Sequence, residues 1–238
     1  HGFLCSSSIW QSLIKKLQTN YNLFTIDLPG HNGDTQTVSS IEELAFEITT
    51  ELKHKNLTNV HLVGHSLGGY ISGEITKQNK ITPLSITLIN SSLLADSKSK
   101  KQDRDLAIRA IKITPNIFTQ NVIEKLFLPK NRLKLACEIE KIQDNAKQIS
   151  PETIISYLKA MKNRNRTIDF VKSIPIHFIS SINDSTIPFN TISDQVKTSV
   201  AQLTTLEKSG HMSFLEESNL VTKSINSFFV SFTSLPLK

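Results

Sequence analysis

Residues 60–69, Val-His-Leu-Val-Gly-His-Ser-Leu-Gly-Gly, place a serine between glycines where an apolar run ends and a helix-compatible segment begins at Tyr70. A G-x-S-x-G turn from strand to helix is sharp, and the flanking glycines permit it. A serine hydroxyl is a weak nucleophile unless such a turn exposes it beside a base and an oxyanion site, so Ser66 is the first candidate for chemistry.

The chain around that turn alternates short apolar strands with helices. Ile9, Leu13 and Leu17 sit at helical spacing within 8–17, and residues 23–27 read as a strand. Ser39 and Ser40, each followed three residues on by Glu42 or Glu43, start a helix running to about Leu52. After the strand into Ser66 come its helix to about Lys77 and a strand at 84–89. This alternation predicts βαβ units and a mostly parallel sheet. Between 93 and 166 the strand pattern stops, and Lys/Glu/Leu/Ile stretches broken at Pro115, Pro129 and Pro151 predict several helices. Strands resume at 175–180 and 202–206, with helices near 191–198 and from Phe214, the latter with a capping-box candidate in Ser213 and Glu216.

Several classes are excluded by composition. At 238 residues and 38% apolar content the chain supports one core, or one core plus a cap. No apolar run approaches the roughly 20 residues of a membrane helix. Cys5 and Cys137 make no disulfide framework and no metal spacing, so a reducing, cytoplasmic setting is expected. The net charge of +6 is uneven: residues 93–166 hold 16 basic and 8 acidic side chains, against 11 and 13 elsewhere. Basic-aromatic interleaving is lacking, which argues against nucleic acid as a partner.

Only eight glycines occur, and seven fall in four short loops: Gly2, Gly30 with Gly33, the Ser66 turn, and Gly210. All four loops lie at predicted strand ends, where an open parallel sheet builds its site. His1-Gly2-Phe3, Asp27-Leu28-Pro29-Gly30-His31, Gly64-His65-Ser66-Leu67-Gly68-Gly69, Asn183-Asp184-Ser185-Thr186-Ile187-Pro188 and Gly210-His211-Met212 follow in the order and spacing of the α/β-hydrolase superfamily, which the chain resembles over nearly its whole length. The resemblance implies a doubly wound, mostly parallel α/β sheet. It divides the chain into a core of 1–92 and 167–238 and a helical cap inserted at 93–166.

The same resemblance implies Ser66 as nucleophile, Asp184 as acid and His211 as base, in the family's chain order. His211 would take the Ser66 proton and return it to the leaving group, while Asp184 holds the imidazole tautomer. The oxyanion site would use the amides of Leu67, next after the serine, and Phe3 in the His-Gly-x loop. His31, His54, His61, His65 and His177 read as structural or surface histidines, Asp169 and Asp194 as surface acids, and Trp10 as core. Cys5 lacks any turn that would make it a nucleophile. Gly69 and Gly73 let the helix after Ser66 pack closely.

The superfamily has strands ahead of the His-Gly loop, one of them between the strand at 23–27 and the strand into Ser66. These 238 residues are therefore expected to be a piece of a longer protein, misfolded or inactive by itself, because the sheet would carry unpaired backbone groups. Ser181-Ile182 replaces a common glycine before the acid, and Asn32 interrupts the usual Gly-His-Gly run.

A serine at position 66 argues against dehalogenase and epoxide-hydrolase chemistry, which use aspartate there in this superfamily. The expected activity is hydrolysis of a carboxylic ester or thioester through an acyl-enzyme, without metal or organic cofactor. Alternatives are a lyase like that of the menaquinone pathway, from whose turn His65 and Tyr70 depart, a C–C hydrolase or perhydrolase, and a ligand-binding receptor on the same scaffold. The basic middle segment suggests an anionic substrate or an acidic carrier protein, although Lys-rich helices more often present a solvated face.

Overall fold

The computed structural model describes residues 1–197 and 201–233. A 3-10 turn at Ser7–Trp10 leads into α1 (Gln11–Leu17), and α2 follows at Ile41–His54. The predicted capping is present: Ser40 Oγ accepts the Glu43 amide at 3.0 Å, and the Glu43 carboxylate accepts the Ser39 amide at 2.9 Å. Next come β1 (His61–His65), α3 (Leu67–Gln78) and β2 (Ser85–Ile89).

Four helices then intervene, α4 (Lys98–Ile113), α5 (Pro115–Leu126), α6 (Ala136–Lys147) and α7 (Pro151–Asn163). Prolines mark their starts for a physical reason. Pro115 and Pro151 occupy first helical positions, where the missing N–H costs nothing and the ring presets φ. The chain returns through β3 (Ile176–Ser181), α8 (Phe189–Lys197), β4 (Ala201–Leu206), α9 (Ser213–Glu216) and α10 (Ser218–Thr233). The expected helix near 191–198 thus matches α8, while Thr198 itself lies outside the described residues.

Among the described residues the sheet has four strands in the order β1-β2-β3-β4, all parallel. The central strands are the core: Ile86, Leu88, Ile89, Phe178 and Ile179 are completely buried. The helix α3 packs on β1, β2 and α2, and α10 packs on β3 and α1. Sheets of this kind are covered on both faces, which is why β2 and β3 read as near-continuous apolar runs.

The strand expected at 23–27 does not form. That stretch belongs to no helix and joins no ladder, and Leu23, Phe24 and Ile26 are exposed by 37%, 62% and 38%. Its apolar pattern is strand-like, but a strand exists only through a partner, and among the described residues it pairs with none. The outer edge of β1 is likewise unpaired among the described residues, where His61–His65 pairs with β2 alone. Between these two unpaired stretches lies a cavity of about 500 Å³, lined by Phe24, Ile26, Leu57, Val60, Ile75 and Phe229 among others.

In the inserted helices, α4 packs on α7, and α5 packs on α4 and α6. The two chain crossings into this unit are tied together. The Thr167 amide donates to the Leu93 carbonyl at 2.8 Å, and the buried Asp96 carboxylate accepts from Arg164 and from Arg104, the latter at 3.0 Å. The Arg164 guanidinium lies 3.8 Å from the Tyr70 ring centre, stacking the exit of the insertion on α3. No helix among the described residues is long and apolar enough to cross a membrane.

Candidate active site

Ser66 sits between the end of β1 and the start of α3 at φ 50° and ψ −112°, a conformation few L-residues adopt. The turn closes because Gly64 leaves room for the Gly68 backbone, where a Cβ would collide. Two further bonds hold it: the Ser66 amide donates to Ile89 O at 3.1 Å, and Ser91 Oγ donates to Ser66 O at 2.6 Å. Leu67 opens α3, so its amide belongs to the first turn, whose N–H groups have no acceptor inside the helix.

The loop of His1, Gly2 and Phe3 lies over this turn. A Cβ on Gly2 would come within 3.5 Å of Ser66 Cβ, and one on Gly68 within 3.1 Å of His1 O. The loop is pinned from below: His1 Nε2 accepts the Leu28 amide at 3.0 Å, and Leu4 adopts φ 62°. Phe3, half-buried, follows Gly2 in this loop.

Asp184 and His211 meet directly. His211 Nδ1 donates to Asp184 Oδ2 at 2.8 Å, and both side chains are almost wholly buried. The carboxylate is otherwise saturated. Its Oδ1 accepts the Thr186 and Ile187 amides at 2.7 and 3.0 Å, and Oδ2 accepts the Asn90 side-chain amide at 2.8 Å. Burial alone would raise this carboxyl, but the facing His211, its hydrogen bond, the Ile187 amide and Asn90 outweigh it and hold the group below the usual carboxylate range. No direct hydrogen bond joins Ser66 Oγ to His211 among the described residues. His65, the residue before Ser66, has its ring centre 4.8 Å from that of His211.

Other candidates fall away from this cluster. Asp169 and Asp194 pair on the surface with Arg166 and Lys197. His54 is exposed, and His177 faces Thr204 and Ser224. His31 packs edge-on between His1 and Tyr157 of α7, with centroid separations of 4.8 and 5.0 Å. Trp10 is buried against Phe214, in keeping with a core role. Burial pushes the Cys5 thiol up to about 12, which leaves it inert as a nucleophile at neutral pH.

One expectation about this region needs correction. Ser213 and Glu216 do not form a capping box on α9, because both are engaged elsewhere. Ser213 Oγ donates to Asn90 Oδ1, while Glu216 accepts the Gly210 and Leu128 amides at 2.8 and 2.9 Å and so ties the base loop to the end of α5. Asn90 was missed as well. It follows β2 at φ 46°, and the signal in the sequence is an amide side chain directly past the carboxyl end of a central strand. Among the described residues no group of three His, Cys, Asp or Glu is placed to hold a metal ion.

A strained serine, an imidazole braced by a carboxylate and amides at a helix start can together support acyl transfer. The comparisons with known proteins agree with this chemistry at the level of family. Residues 1–222 match the model of the Alpha/beta hydrolase family. The chain is 35% identical over 80 residues to the monoacylglycerol lipase ABHD6 of Bos taurus, a match covering 31% of this chain and 23% of the lipase. It thus spans about a quarter of the length of that relative. A thermophilic esterase from Thermogutta terrifontis superposes with a TM-score of 0.87 at 20% identity, covering 97% of this chain and 88% of that one. The enol-lactonase from Burkholderia xenovorans LB400 gives 0.86 at 15%, covering 96% and 88%. These two share the fold. With the family match spanning most of its length, the chain belongs to the alpha/beta hydrolase family.

Proposed function

We propose that this protein hydrolyses carboxylic esters or thioesters through an acyl-Ser66 intermediate. His211 Nε2 accepts the Ser66 proton as Oγ attacks the carbonyl carbon, and the amides of Leu67 and Phe3 receive the developing oxyanion. His211 then protonates the leaving alcohol or thiol, and water attacks the acyl group by the reverse proton path. Asp184 keeps the proton on Nδ1 and stabilises the imidazolium. The Oγ to Nε2 contact is made on substrate binding, as catalytic hydrogen bonds often tighten only then. The observation that carries the reading is the buried 2.8 Å contact of His211 Nδ1 with Asp184, in a chain whose strand-to-helix turn holds a serine at φ 50°.

Residues 93–166 act as the cap over this core and shape the acyl pocket. The reading that the cap receives an anionic or carrier-bound substrate loses support from its ion pairs. Arg104 and Arg164 are bound to Asp96, Arg132 to Glu124 and Arg166 to Asp169, so much of the arginine charge is already met. The lipase relatives place neutral acyl esters first among substrates to try. A fluorophosphonate probe is expected to label the full-length protein at Ser66. Labelling that survives Ser66→Ala overturns the assignment, and an ester and thioester panel on the same protein identifies the substrate class.

A further inference from the structure

His65 is the last residue of β1 and only 1% exposed. Its Nε2 lies 3.0 Å from the backbone carbonyl oxygen of His211, an acceptor only, so Nε2 carries the proton. Burial and then the nearby His211 keep this ring well below the ordinary histidine pKa, hence neutral, and Nδ1 is left as a bare lone pair. That Nδ1 has no hydrogen-bond partner. It faces Gly2 so closely that a Cβ there would lie 2.6 Å away. The ring is finished by Phe214, edge-on at 4.8 Å.

An unpaired buried nitrogen does not by itself mark a site, since His177 Nδ1 is also unpaired. What separates the two is their neighbours. His177 bonds Thr204 and Ser224 between β3, β4 and α10, a packing role. His65 touches, with one rigid ring, the nucleophile's own turn, the glycine before the proposed oxyanion donor, and the backbone of the proposed base. An apolar side chain of the same volume would fill the space without stranding a nitrogen. It could not donate to the His211 carbonyl.

We propose that His65 is a positioning residue for the reaction: its Nε2–H bond to His211 O and its contact with Gly2 set the spacing of base and oxyanion loop around Ser66. The proposal rests on the acyl-Ser66 reading for its kinetic consequences, whereas its geometric half is independent of it. A small displacement of a positioned group costs about a hundredfold in rate.

The test compares wild type, His65→Phe, which keeps a ring but loses the donor, and His65→Gln, which can restore an N–H toward the same carbonyl. The readouts are the fluorophosphonate labelling rate of Ser66, kcat and KM on a labelled ester, the downfield NMR proton of His211 Nδ1–H, and Tm. His65→Phe is expected to lower labelling and kcat about a hundredfold at similar KM and to shift or lose the downfield proton, with His65→Gln recovering at least about tenfold. Wild-type labelling and an unshifted proton in His65→Phe overturn the proposal, as does a folded His65→Gln no better than His65→Phe. If His65→Phe does not fold, His65→Asn, too short to reach the carbonyl, takes its place with the same criteria. Wild type that resists labelling overturns the acyl-Ser66 reading instead, and the downfield proton then decides on positioning alone.

Discussion

The two sides of β1 differ sharply. Toward β2 the strand is paired at every residue from His61 to His65, and it leads into the turn at Ser66, while on the same sheet Asp184 accepts four donors. Toward residues 23–27 it pairs with nothing and borders a cavity of about 500 Å³. Ser66 follows β1, Asn90 follows β2, Asp184 follows β3 and His211 follows β4, successive positions along one ladder, whereas the loop of His1, Gly2 and Phe3 is tied to the unpaired side through the Leu28 amide. Preorganisation of the acid and base thus lives in the register of four parallel strands, and the unpaired flank holds the His1 loop through Leu28.

The harshest way to break this comparison is at the saturated carboxylate. Asp184→Asn keeps the shape but turns an acceptor into a donor facing His211, and turnover should fall by about 10⁴ with little change in fold. Activity within tenfold of wild type would mean that the ordered cluster is not the working site.

Amide exchange compares the two sides directly. Residues 86–89, paired on both edges and fully buried, should exchange at least about a thousandfold more slowly than residues 23–27, which lack ladder partners. Equal protection would show that the flank is paired in solution.

Acid sharpens the contrast on the ladder side. Burial lowers His177 to about 4, so its neutral form is worth about 3 kcal/mol relative to the unfolded chain. Because the folded value lies below the unfolded one, that contribution is complete above about pH 6.5 and is lost as pH falls through about 4. Urea midpoints should drop across this window, and His177→Gln should flatten the drop. An unchanged slope in the variant would assign the acid sensitivity elsewhere.

The smallest effect belongs to the flank itself. Phe24, 62% exposed, should tolerate Phe24→Ser within about 0.5 kcal/mol, whereas Leu44→Ala at a fully buried position should cost about 2–5 kcal/mol. A large loss at Phe24 would indicate that something covers it.

How far each feature was legible depended on the range of its cause. The capped start of α2, the proline starts of α5 and α7 and the turn at Ser66 are written within a few residues, and the structure has them in place. Residues 23–27 show the limit: the stretch has the pattern of a buried strand, but pairing is a property of two segments. Ser213 and Glu216 fail in the same way, because a local capping pattern lost to distant partners, Asn90 and the Gly210 and Leu128 amides.

By itself the sequence determined the α/β alternation, the elbow at Ser66, the helical insertion and the three residue types the chemistry needs, since each follows from spacing, backbone freedom or side-chain chemistry. Tertiary structure alone decided that His211 lies on Asp184, that Asn90 braces the acid and that His65 is wedged against Gly2 and the His211 backbone. The reason is physical: hydrogen bonds and steric contacts between loops of different strands depend on sheet order and register, which no local stretch of chain encodes.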